Sequence, residues 1–123
     1  MYSKEILQHF RHPQNVGMIE HADGFGKASG GERCPEDLVY IWIRVVNDRI
    51  VEVKQKTRGC PVAIAASSVT SVMAQGKTLA EAQQITPEMV IQALGGVPES
   101  KADSIVASQA LREAIAHYQA KGR

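Results

Sequence analysis

Cys34 and Cys60 are the only cysteines in the chain, and each sits where a thiol could do chemistry. Cys34 lies in Gly31-Glu32-Arg33-Cys34-Pro35-Glu36-Asp37, just before an expected strand. Cys60 lies in Arg58-Gly59-Cys60-Pro61, just before an expected helix. At or beside a helix N-cap, unpaired N–H groups and the positive end of the helix dipole favour a thiolate. A thiolate binds metal or carries sulfur, although context alone reads equally well as a buried structural cysteine. The charged neighbours Glu32, Arg33, Glu36 and Asp37 make a packing role the weaker reading of Cys34. The two cysteines are too far apart for a Cys-x-x-Cys knuckle, so only the fold can unite them. Asp37 reads either as a ligand or as a solvated strand terminus. Asp103 could complete the group, or it could cap the last helix, a role worth about 1 kcal/mol. A metal or iron–sulfur site therefore fits these residues better than a disulfide. His9, His12, His21 and His117 read as surface residues; His9 and His12, three apart, could share a helix face.

Regular elements must position these groups. Ser3 is placed to cap a short helix to Phe10, with Ile6, Leu7 and Phe10 on its apolar face. Pro13, Asn15 and Gly17 turn the chain. Gly24 to Gly31 reads as an edge strand running into a mobile loop; it lacks the Gly-Lys-Ser/Thr or GxGxxG pattern of a phosphate cradle. Leu38 to Val46 alternates as a strand, with Val39, Ile41, Ile43 and Val45 on one face. Asn47-Asp48 turns it into a returning strand, Ile50 to Thr57, with Val51 and Val53 facing in. Pro61 opens a helix from Val62 to Gln75 whose small residues permit close approach to a neighbour, and Gly76 ends it. Thr78 to Glu81 is a capping box, and Thr86-Pro87 opens another helix that stops at Gly95-Gly96. A last helix is expected from about Ser104 to Gln119, burying Ala107, Leu111, Ala114, Ile115 and Tyr118. The order predicts an α+β domain, with helices on a small antiparallel sheet.

Bulk properties narrow the function. The 123 residues suit one domain, 1–123, with a real core. A net charge of +1 supplies no broad field toward nucleic acid or membrane, so neither is an expected partner. No run is long enough to span a bilayer and no signal-peptide core opens the chain, which points to the cytoplasm. In a reducing compartment two cysteines serve more often as ligands or reactive thiols than as a bridge. No nucleophile–base pair argues for an enzyme.

At these residues the chain resembles the U-type iron–sulfur cluster scaffold family (IscU, SufU and the N-terminal domain of NifU) over nearly its full length. Tyr2, His9, Pro13, Asn15, Val16 and Gly17 are similar to the family's opening pattern. Cys34 with Asp37 resembles its first cysteine and aspartate, and Gly59-Cys60 followed by Ala63-Ile64-Ala65-Ala66-Ser67-Ser68 resembles its second cysteine and serine-rich helix. Gly76 to Leu79, Glu81-Ala82 and Ser104 to Ala107 continue the likeness. The resemblance implies a three-stranded antiparallel sheet packed against helices. It implies a protein that binds iron or a labile [2Fe–2S] cluster, is supplied by a cysteine desulfurase, and passes the cluster to recipient apoproteins as a monomer or weak homo-oligomer. Three departures bear on function. Cys34-Pro35-Glu36-Asp37 is one residue longer than the family's Cys-Gly-Asp and carries a rigid proline. The family's third cysteine falls on Asp103, and the histidine before it on Ala102. Gly96 to Lys101 keeps one proline of the segment that members present to a dedicated chaperone, so the resemblance does not carry chaperone-driven release with it. The implied ligand set becomes Cys34, Asp37, Cys60 and Asp103. Two thiolates and two carboxylates would also suit tetrahedral zinc, the alternative of a zinc-bound sulfur-transfer partner like SufU; a paralogue that has lost cluster assembly is the other alternative.

Overall fold

The computed structural model describes residues 2–32 and 34–121; Arg33, one of the charged neighbours of Cys34, lies outside the described residues. Helix α1 (Lys4–Arg11) precedes strands β1 (Gly24–Ser29), β2 (Leu38–Val46) and β3 (Arg49–Arg58). Helices α2 (Pro61–Ala74), α3 (Leu79–Gln83) and α4 (Pro87–Ala93), a 3-10 turn (Glu99–Ser104) and α5 (Ala107–Lys121) follow. The strands form one antiparallel sheet in the order β1-β2-β3.

The signals that open α1 and turn the hairpin have physical counterparts. The Ser3 side chain accepts from the Ile6 amide at 3.0 Å and its hydroxyl donates to the Leu94 carbonyl, which ties α1 to the end of α4. Ile6 is buried while Phe10 stays at the surface, so the apolar face of α1 is narrower than its sequence suggests. Asn47 and Asp48 both take positive φ (51° and 61°), the turn that matches the twist of a tight hairpin.

One register expectation fails. Arg44 pairs with Glu52 but Val45 pairs with Ile50, so Val51 is the extra residue of a bulge. Val51 turns outward at 44% exposure while Ile50 and Val53 are fully buried. The bulge coincides with a second anchorage of this strand end: the Ile50 amide donates to the Lys77 carbonyl at 2.8 Å, and the Gly76 amide donates to the Ile50 carbonyl at 2.7 Å.

The core lies between the sheet and α2 and α5. Val39, Ile41, Ile43 and Val53 from the strands meet Val62, Ala65, Ala66 and Val69 of α2 and Ala110, Leu111, Ala114 and Ile115 of α5. Helix α2 is buried nearly all round, and its small side chains let α1 on one side and β3 on the other approach it. A Cβ on Gly26 would stand 2.1 Å from the Ala110 carbonyl oxygen, so the glycine-rich β1 serves close packing of α5. The other sheet face carries Phe25, Tyr40 and Trp42, with ring centroids 5.3 to 6.0 Å apart.

Candidate metal centre

Three chain segments bring the predicted groups together. The first precedes β2. The Gly30 amide donates to the Asp37 carbonyl (3.0 Å), the Cys34 amide to the Gly31 carbonyl (2.9 Å), and the Asp37 amide to the Cys34 carbonyl (3.1 Å). These bonds close a tight turn that pushes Pro35 and Glu36 to the exterior, while Cys34 and Asp37 are withdrawn to 8% and 4% exposure. The extra residue between cysteine and aspartate is thus absorbed outside the site.

The second segment is the start of α2. Cys60 is its N-cap, in extended conformation, with Pro61 at the first helical position. Its amide donates to Asp37 Oδ1 at 3.2 Å, and its Sγ lies 3.9 Å from Asp37 Oδ2. Gly59 makes this approach possible: with φ at +153°, a Cβ there would stand 2.2 Å from Asp37 Oδ1.

The third segment is the 3-10 turn, and it contributes a residue that sequence reasoning missed. The fully buried Ser104 places Oγ 2.6 Å from Asp37 Oδ2, 3.1 Å from Cys34 Sγ and 3.3 Å from Cys60 Sγ. A hydroxyl next to an acid at an element's end was the sole hint, and serine's ordinary roles in caps and turns hide it. Among the described residues no three His, Cys, Asp or Glu side chains form a ready-made metal group; Asp37 meets Cys60 directly, and the hydroxyl adds the Cys34 sulfur to the pair. The cleft around them is lined by Cys34, Pro35, Glu36, Asp37, Gly59 and Cys60, with Arg58 and Lys101 as its cations.

Asp103 stands elsewhere. It is exposed, and a Cβ on Gly31 would lie 3.6 Å from its carboxyl group, outside the cleft lining. Nor does it cap the last helix. Helix α5 begins at Ala107, because the chain first makes the 3-10 turn and then dips to bury Ile105.

The histidines lie away from the cleft lining, and one is not a plain surface residue. His9 is half-buried, with Nδ1 2.7 Å from Ser68 Oγ, and desolvation holds its pKa below the ordinary histidine value. Ser68 Oγ also accepts from the Gln14 amide at 2.8 Å, which anchors the hydroxyl beside the ring. His12, His21 and His117 are exposed.

Soft thiol donors beside a carboxylate, half withdrawn from water, have the chemistry to take iron or zinc. The relatives agree in kind. The family model described as NifU-like N terminal domain matches residues 1–123. The chain is 48% identical over 119 residues to iron-sulfur cluster assembly scaffold protein IscU 1 of Archaeoglobus fulgidus, covering 96% of this chain and 76% of that one. It is 34% identical over 122 residues to the IscU scaffold protein of Escherichia coli, covering 98% and 95%. In fold it is similar to the N-terminal NifU-like protein of Brucella abortus (TM-score 0.77, 15% identity, 96% and 94% covered). It is likewise similar to a SufU scaffold protein of Fervidobacterium islandicum (TM-score 0.70, 19% identity, 93% and 96% covered). With two of the three expected cysteines in one cleft and this likeness running the length of the chain, the protein belongs to the NifU-like N-terminal family of U-type scaffolds, as a divergent member without the third cysteine.

Proposed function

We propose that this chain, as a single domain spanning 1–123, is an iron–sulfur cluster assembly scaffold that carries iron or a labile [2Fe–2S] cluster as cargo. The observation that supports this is the union of Cys34, Asp37 and Cys60, from two loops 26 residues apart in sequence (60 minus 34), around one hydroxyl at 2.6 to 3.3 Å. In this reading the two thiolates and the Asp37 carboxylate hold iron, and Asp103 is the fourth ligand. Asp103 reaches the cleft only when the 3-10 turn moves from its place beside Gly31, so loading and local rearrangement go together. A cysteine desulfurase supplies sulfur and recipient apoproteins take the finished cluster. The site binds and releases cargo rather than turning over a substrate, and the protein works in the cytoplasm.

Anaerobic reconstitution with iron and sulfide tests the reading. The expected product is coloured, with matched iron and sulfide, and the colour is lost in Cys34→Ala and Cys60→Ala. Asp103→Asn is expected to load but retain less iron after desalting. A colourless, iron-free product would overturn the scaffold reading. Zinc retention together with a gain of one sulfur on either cysteine, after incubation with a desulfurase and cysteine, would put zinc-dependent sulfur transfer in its place.

A further inference from the structure

The donors are tied together from behind the cleft. Ser104, fully buried and outside the cleft lining, places Oγ in contact with three of the four predicted ligands, Cys34, Asp37 and Cys60. A hydroxyl has a single proton. The 2.6 Å contact makes Asp37 Oδ2 the principal acceptor of that proton, in a charge-assisted bond, and both sulfurs lie within reach of the same oxygen. Because Ser104 and Asp37 are buried, this bond has little competition from water and the carboxylate depends on it.

Metal–sulfur bonds of about 2.3 Å and metal–oxygen bonds of about 2.0 Å are shorter than the 2.6 to 3.3 Å contacts that hold these donors to the hydroxyl, so closing on an ion in the cleft draws them away from it. We propose that Ser104 is the latch of the metal-free site: its buried hydroxyl holds Cys34, Asp37 and Cys60 in register from behind the cleft, and the donors must part from it before they close on an ion. The latch rests on the reading that these donors take metal. It also explains how Asp103 could join them. Neighbouring residues of a 3-10 turn are separated by about 120° around its axis, so a rotation of that order withdraws Ser104 and brings Asp103 inward.

The first test uses metal-free protein and reads iodoacetamide alkylation of Cys34 and Cys60 by mass spectrometry. In Ser104→Ala, Cys34 alkylation is expected to be about tenfold faster than in wild type, the factor that loss of one hydrogen bond gives. Ser104→Thr, which keeps the hydroxyl, is expected to stay near the wild-type rate. Equal rates in wild type and Ser104→Ala would overturn the latch. The second test mixes wild-type protein with Co²⁺ alone and follows the thiolate-to-cobalt absorption. A latch that opens before entry makes the observed rate level off as Co²⁺ rises, and Ser104→Ala removes the plateau. A wild-type rate that stays linear overturns the proposal even if Ser104→Ala does not fold. So does a Ser104→Ala protein that binds Co²⁺ tenfold more weakly, because Ser104 would then be a ligand. If wild type takes up no Co²⁺, the metal-site reading fails, while the alkylation test still decides whether Ser104 secures the thiols.

Discussion

Gly59 shows how much of the site's geometry a single hydrogen atom can carry. Its backbone lies in a region that side chains rarely adopt, and a methyl group there would overlap the Asp37 carboxylate. Gly59→Ala is therefore expected to cost roughly 2–4 kcal/mol, combining backbone strain with displacement of a buried, hydrogen-bonded acid. Urea denaturation monitored by circular dichroism measures this, and a loss below about 0.5 kcal/mol would mean that Asp37 can be moved without penalty. At this scale the sequence was informative about element ends and silent about depth. Cys60 at a helix cap followed from Pro61, and Cys34 and Asp37 followed from their place before a strand. The role of Ser104 did not, because a serine's meaning depends on what the fold carries to it. Asp103 looked like a cap for a related reason: local sequence does not show that the chain must first bury Ile105.

Among the elements, caps and turns were the most legible parts, since their chemistry is local. Thr78 accepts from the Glu81 amide at 3.1 Å while Glu81 Oε1 accepts from the Thr78 amide at 2.9 Å, which completes the expected capping box. Thr78→Ala is expected to lower stability by about 1 kcal/mol, with the thermal midpoint as the readout. The bulge in β3 was not legible. Val51 and Val53 share the parity of an inward face, and only the fixing of Ile50 by Gly76 and Lys77 breaks it. Two substitutions probe that register: Val51→Ala is expected to change stability by less than about 0.5 kcal/mol, whereas Val53→Ala should cost roughly 2 kcal/mol. Equal losses would mean that the strand runs without the extra residue.

In the molecule as a whole, the contact between α1 and α2 makes stability depend on pH. Desolvation lowers the folded pKa of His9, so the unfolded chain, with an ordinary value near 6.5, binds the proton more readily. The stability from neutral His9 is therefore present above about pH 6.5 and is lost as pH falls toward the folded value, because burial against α2 disfavours the charged ring. Thermal midpoints measured from pH 7.5 down to 5.5 are expected to fall, and His9→Gln should flatten the slope. An unchanged slope in that variant would assign the acid sensitivity to other groups. The hairpin of β2 and β3 and the helical layer were legible because period-two and helical patterns are strong and cleanly separated along the chain, while the three-stranded count came with the family resemblance. The pairing of residues 15–17 with Gln55 was not, since it joins a turn to a distant strand edge. The stack of Phe25, Tyr40 and Trp42 has an optical consequence. Trp42 is the protein's single tryptophan, and it stands on the sheet face opposite the core, packed against Phe25 and Tyr40, which also touch each other. Its emission wavelength follows the integrity of that stack and not the order of the cleft. Loading that rearranges only the 3-10 turn should leave the emission maximum where it is, while unfolding shifts it to the red, so one fluorimeter trace separates a protein that has changed its cargo from one that has lost its fold.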